Sequence, residues 1–182
     1  MKKTLKIIGI SILILILFRG IIYRLAINYS EIGNRQEIKV TNKKLIDKIV
    51  KKSKDRKIDL REIAEIADEI TKSELEFTTN RASNNPNELI DANQANCIGY
   101  SAMFNSIANY LIRKNGLQNE IEAEHKIGEL DLFGINLHQF FDSPFFRDHD
   151  FNEITNQKTG EKIFIDPSVS DYLRINRITK ND

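Results

Sequence analysis

Apolar positions recur along this chain with three different periods, and each predicts a different kind of element. From Ile7 to Phe18 twelve residues pass without a charge, as in a helix that is apolar on every side. From Thr41 the spacing becomes helical, with Leu45, Ile46, Ile49 and Val50 on one stripe. Asp59, with Glu62 three residues on, predicts the cap of a second helix whose apolar face is Ile63, Ile66, Ala67 and Ile70. A third helix is predicted from Cys97, capped by Asn96 and stopped at Asn115-Gly116. Cys97, Ser101, Phe104, Ala108 and Leu111 form its continuous face. The period then falls to two, and Ile121, Ala123, His125 and Ile127 predict a strand. Two more strands, 147–155 and 160–166, flank the turn Asn156-Gln157-Lys158-Thr159. Residues 27–40, interrupted by Asn28, Ser30, Glu31, Gly33 and Asn34, are expected to be a polar linker. Residues 81–96, rich in asparagine and holding Pro86, are expected to be a long surface loop. Helices first and strands after make residues 41–182 an α+β domain, with helices packed on an antiparallel sheet.

Charge changes the picture at the N-terminus. Residues 1–26 carry five basic residues (Lys2, Lys3, Lys6, Arg19, Arg24) and no acid. This leaves 22 of the 27 basic residues against all 26 acids, so the remainder is mildly acidic and a poor nucleic-acid binder. A spanning helix needs about 20 predominantly apolar residues. Leu5 to Ala26 supplies that length if Lys6, Arg19 and Arg24 snorkel toward headgroups. Phe18-Arg19-Gly20-Ile21 offers no small-x-small cleavage site, so residues 1–26 are expected to be an anchor rather than a cleaved signal sequence or a core helix. Lysines ahead of the apolar run favour a domain outside the cytoplasm, on the periplasmic or cell-surface side, with secretion as the alternative. The basic run 51–57 is expected to be a solvated helix end, with membrane headgroups as its alternative partner. At 41% hydrophobic and 29% charged, the 182 residues predict a packed core. The lone Cys97 excludes an intramolecular disulfide framework and a multi-thiolate zinc site.

That cysteine stands in the first turn of a helix. The unpaired N–H groups and positive dipole end there favour thiolate over thiol, and the same N–H groups can receive an oxyanion. A buried structural cysteine is the competing reading. The hairpin adds a base. If Thr155 faces Gly160, Glu153 falls opposite Lys162, Phe151 opposite Phe164 and His149 opposite Asp166. Pro167 pushes Asp166 to extended geometry, which gives its side chain a defined direction. A thiolate, an imidazole and a carboxylate that orients it are the parts of nucleophilic acyl transfer.

These residues resemble a known family. Asn96-Cys97-Ile98-Gly99-Tyr100-Ser101-Ala102 opening a helix resembles the nucleophile motif of the transglutaminase-like superfamily, which has a papain-like cysteine fold. His149-Asp150-Phe151-Asn152-Glu153-Ile154 is similar to its His-x-aromatic strand, and Ile163-Phe164-Ile165-Asp166-Pro167-Ser168 to its closing strand. The order Cys, His, Asp, with gaps of 52 and 17 residues, fits the resemblance, which covers residues 58–170. The chain departs from the pattern at Phe151, where the family often has Trp, and in the insert 128–146. The resemblance implies Cys97 as nucleophile, His149 as base and Asp166 as orienting group, with no cofactor and a protein or peptide substrate. It further implies an oxyanion side chain upstream of the cysteine, for which Gln94 is the nearby candidate.

The remaining candidates concern the substrate. Phe140, Phe141, Phe145 and Phe146 cluster around Pro144, as core packing under a loop, as a groove wall just before His149, or as a contact with the bilayer. Tyr100, Phe145, Phe146 and Phe151 are the groove candidates. His125 and His138 lack metal-ligand spacing with Cys97 or His149, and His125 reads as a sheet residue. The expectation is thus a membrane-anchored cysteine peptidase, amidase or acyltransferase, held through residues 5–26. A silent module binding a peptide or partner protein is the rival from another class, and a cell-envelope spacer the third.

Overall fold

The computed structural model describes residues 2–140 and 148–181. Helix α1 (Lys2–Ala26) runs directly into strand β1 (Ile27–Arg35). Residues 27–35 therefore belong to the sheet and correct the expected linker. β1 pairs antiparallel with β4 (Ile121–Leu132), and a bulge between Glu31 and Gly33 turns Ile32 outward, 56% exposed. Before the bulge Tyr29 lies opposite Leu130; after it Arg35 lies opposite His125. One extra residue moves odd-numbered positions from one face of the sheet to the other, which breaks the alternation a strand would show.

Helices α2 (Lys43–Ser53) and α3 (Leu60–Glu74) follow, capped by Asn42 and Asp59. The Asp59 carboxylate accepts from Arg61 and Glu62 N–H at 3.0 Å each. The short strand β2 (Glu76–Phe77) pairs in parallel with β3 (Gln94–Ala95). Between them, the expected loop 81–96 contains helix α4 (Pro86–Ala92), with Asn85 as cap and Pro86 in its first turn. Proline is pre-organised for that position, and buried Leu89 and Ile90 hold the turn down. Helix α5 (Cys97–Lys114) is the central helix and is buried along most of its length.

The sheet has the order β1-β4-β6-β7, with β5 (Ile135–Asn136) added to β4. Strands β6 (His149–Asn156) and β7 (Lys162–Ile165) form the expected hairpin, but its turn lies one residue later. Thr155 faces Lys162 and Glu153 faces Phe164, so every partner shifts by two. A shift of two leaves each side chain on its own face. The Lys162 ammonium still reaches the Glu153 carboxylate at 2.6 Å, now on the diagonal. Helix α6 (Pro167–Leu173) closes the chain's helical set, capped by Asp166.

Among the described residues two apolar clusters hold this mixed helix and antiparallel-sheet arrangement. The larger packs Ile63, Ile66 and Ile70 of α3 and Met103, Phe104 and Ile107 of α5 on Ile121, Ala123, Ile154 and Ile165 of the sheet. The smaller, Tyr29, Phe151 and Ile178, takes in Tyr23 of α1 together with Leu130 and Phe164.

Candidate active site

The first turn of α5 is fixed before any chemistry is considered. Asn96 accepts from Gly99 N–H at 3.2 Å through its side chain and from Tyr100 N–H at 3.0 Å through its carbonyl. A methyl group on Gly99 would come within 2.8 Å of the Ala95 Cβ and 3.0 Å of the Ser83 carbonyl oxygen. Only glycine lets the helix start press this closely on the chain leading into it. Cys97, two residues earlier, is held there with 7% of its surface exposed.

β6 begins at the same end of the sheet where β7 stops. His149 Nε2 lies 2.5 Å from Asp166 Oδ2. The shifted register preserves this juxtaposition as a diagonal, because both residues stay on one face. Asp166 is fully buried and fully engaged. Its Oδ1 accepts from Ser168 N–H at 3.0 Å, Ser168 Oγ–H at 2.6 Å and Val169 N–H at 3.1 Å, while the Tyr29 hydroxyl donates to Oδ2 at 2.7 Å. The Tyr29 hydroxyl in turn lies 2.7 Å from that of Tyr23, in the last turns of α1. Burial alone would raise the Asp166 pKa; the charge of His149 and these donors more than offset it and hold the carboxyl below its ordinary range. For His149 burial works against the charged ring, but the Asp166 carboxylate and contact with the Cys97 side chain hold its pKa well above the ordinary 6.5. Cys97, His149 and Asp166 are thus brought together, and His149 keeps some exposure to solvent. Tyr29 stands behind them as the group the sequence reading assigned to a linker.

A second polar cluster borders the first. Asp150, fully buried, lies 2.6 Å from His125 Nε2 and accepts from Arg35 Nε at 2.5 Å and Nη2 at 3.1 Å. Burial raises the Asp150 pKa, but His125 and Arg35 outweigh it and lower the carboxyl. The Arg35 guanidinium is held above its ordinary value chiefly by Asp150, with Asp148 and Cys97 adding to the field. Arg35 and His125 line a cleft of about 410 Å³ that also touches Asn84, Ala102 and Ile127. Arg35→Ala is expected to cost about 2–4 kcal/mol, since it strips two donors from a buried carboxylate while Arg35 itself is partly solvated. A lowered carboxyl stabilises above its unfolded value near 3.8, and that contribution is lost as pH falls through the folded value. The gap in denaturation midpoint between wild type and variant should therefore narrow below about pH 4. An equal midpoint at pH 7 would show that His125 alone satisfies Asp150.

Two groove candidates are corrected. Phe151 is fully buried in the smaller cluster, edge-on to Tyr29 at 5.2 Å between ring centres, and is a packing residue. Tyr100 is also fully buried, its one hydroxyl proton placed between two acceptors, the Leu75 carbonyl at 2.9 Å and the Asp171 carboxylate at 2.8 Å. Gln94 is exposed on β3, where its backbone pairs with Glu76. Phe140 is exposed at the end of the short 3-10 turn Leu137–Phe140, which also carries His138. Phe141, Pro144, Phe145 and Phe146 lie outside the described residues. Among the described residues no group of three or more His, Cys, Asp and Glu side chains is placed to hold a metal ion. No protein-family model, no curated protein and no solved structure matches this chain.

Proposed function

We propose that the protein is a membrane-anchored cysteine enzyme of transglutaminase-like type, acting on an amide or peptide bond through Cys97, His149 and Asp166. The observation that supports this reading is one continuous network: Asp166 2.5 Å from His149, and the His149 ring in contact with Cys97 at the start of a helix. In the proposed step Cys97 Sγ attacks the carbonyl carbon and its proton resides on His149. Gly99 and Tyr100 donate to Asn96, and among the described residues the Cys97 and Ile98 N–H groups meet no acceptor. Those two groups receive the oxyanion. His149 returns the proton to the leaving amine, the C–N bond breaks and a thioester remains. Water, or an amine in an acyltransferase, then gives its proton to His149 and displaces Cys97. No cofactor enters the sequence, and the substrate is a protein or peptide. α1 has a 19-residue stretch, Ile8–Ala26, long and apolar enough to cross a bilayer, and Lys2, Lys3 and Lys6 support a domain outside the cytoplasm.

Iodoacetamide modification of Cys97, followed by mass across pH 5–9, tests the chemistry. Wild-type protein is expected to react well below pH 8, and His149→Ala protein only at higher pH. Coincident profiles would remove the triad. The 7% exposure of Cys97 favours a second reading, a catalytically silent module of the same fold that binds a peptide or partner. A thiol that reacts with neither wild-type nor variant profile below pH 8 would establish that reading instead.

A further inference from the structure

The free part of α1 is too short for the bilayer it is proposed to cross. Its uncharged run Ile7–Phe18 rises about 18 Å, against a hydrocarbon core of about 30 Å. The missing length, about 12 Å, is what the eight residues Arg19–Ala26 would supply. These eight are not free. Gly20, Tyr23, Arg24 and Ala26 are partly covered by the domain. Thr179 Oγ–H donates to the Arg24 carbonyl at 3.3 Å, and Phe133 N–H to the Ala26 carbonyl at 2.8 Å. Arg19 spends its donors on the carbonyls of Leu173, Ile16 and Arg174 at 2.7, 2.9 and 3.3 Å. A guanidinium satisfied by the protein itself loses less on leaving water than a bare one.

Large apolar side chains stand exposed around this docked segment. Leu25 is 72% exposed and Phe133, bonded beside it through Ala26, is 75% exposed. Ile135 follows Phe133 across the tight turn from β4 to β5, and Leu173 lies beside Arg19. We infer that this rim is a lipid-facing seat: the domain rests on the bilayer with Leu25 and Phe133 at the headgroup–acyl boundary and Leu173, beside Arg19, about 9 Å deeper. This inference rests on the anchored reading proposed above. Seating draws Arg19–Ala26 to the depth a full span requires without extending the helix. It also fixes the height of the site, because Tyr23 in the docked segment is bonded through Tyr29 to Asp166. The substrate class that fits is a protein or peptide held at the membrane surface.

The chain contains no tryptophan, so a single substitution gives a unique fluorophore. Full-length Phe133→Trp and Leu173→Trp proteins are reconstituted in phosphatidylcholine–phosphatidylglycerol vesicles, with and without brominated acyl chains. Lys158→Trp, in the β6–β7 turn at the opposite end of strands rising about 36 Å along β4, is the aqueous reference. Both rim proteins are expected to lose at least about half their emission to bromine, as side chains about 5–10 Å into the interface would, while the reference keeps its emission. Retention of each protein in vesicles after an alkaline wash is measured in parallel. Extraction by the wash would overturn the anchor itself. Retention with rim emission equal to the reference would overturn the seat alone. A blue shift without bromine quenching would assign the rim to a second copy of the chain and overturn it likewise.

Discussion

Asp166→Asn is expected to slow alkylation of Cys97 at pH 6 by about ten- to a thousandfold, the range an adjacent opposite charge is worth, in a chain that stays folded. The amide keeps the cap. Oδ1 of asparagine still accepts from Ser168 and Val169 N–H, and asparagine caps helices as well as aspartate does. What it cannot keep is the acceptor at Oδ2, where the Tyr29 hydroxyl and His149 Nε2 now converge. An NH₂ group there forces the imidazole to accept, so the ring is held neutral and the charged partner of Cys97 is lost. Stability should change in a defined window. The raised His149 pKa contributes stability that is complete below its ordinary 6.5 and is lost as pH rises through its folded value. The lowered Asp166 pKa contributes stability present above the ordinary 3.8 and lost as pH falls through its folded value. The difference in melting temperature between wild type and variant should therefore be widest between about pH 4 and 6.5 and shrink on both sides. An alkylation profile that does not move, in a variant that melts lower only within that window, would leave a structural His–Asp pair and no triad.

The pairing of His149 with Asp166 was legible in the sequence for a reason that survives the error in register. Charge and aromatic matching placed the turn one residue early, yet a shift of two cannot move a side chain across the sheet. The start of α5 was legible because its signals are local: Asn96 as cap and an apolar face at helical spacing. The caps of α4 and α6 were present in the sequence too, as Asn85-Pro86 and Asp166-Pro167. Each proline also fits the punctuation of a loop or strand, but a polar cap followed by proline opens a helix as well.

β1 was hidden for a different reason. The bulge places Ile32 outward and moves the buried odd positions from the Tyr29 face to the Arg35 face, so neither period fits the segment as a whole. With β1 went the two residues that support the site from opposite faces, Tyr29 behind Asp166 and Arg35 beside Asp150. Phe151 and Tyr100 were misplaced because proximity in sequence to His149 and Cys97 says nothing of direction. Phe151, two residues past His149 on the same face, meets Tyr29 in the small cluster, and Tyr100 turns into the space between α3, α5 and α6.

The same misreading decides what can be cut away. Treated as a separate anchor, residues 1–26 should be dispensable, and their removal should leave a soluble, folded domain. Contacts with the rest of the chain begin at Arg19, so the dispensable part is expected to end earlier, at Phe18. A chain lacking residues 2–18 is expected to fold and to show the Cys97 reactivity of the full-length protein in detergent. A chain lacking residues 2–26 loses Tyr23 from the small cluster, the Arg19 contacts to Leu173 and Arg174, and the Ala26 carbonyl that holds Phe133. Removing a partly buried aromatic from such a cluster costs about 2–4 kcal/mol. It also leaves the fully buried Tyr29 hydroxyl bonded to Asp166 alone and opens that side of the carboxylate to water. Water there competes with Tyr29 and His149 for Oδ2, so alkylation of Cys97 at pH 6 should fall together with the melting temperature. Melting curves and iodoacetamide rates on the two truncated chains separate the possibilities. If both chains melt together and react alike, residues 19–26 are passive and the site ends at Tyr29. If the shorter chain loses both stability and reactivity, the last turns of α1 are part of the candidate site.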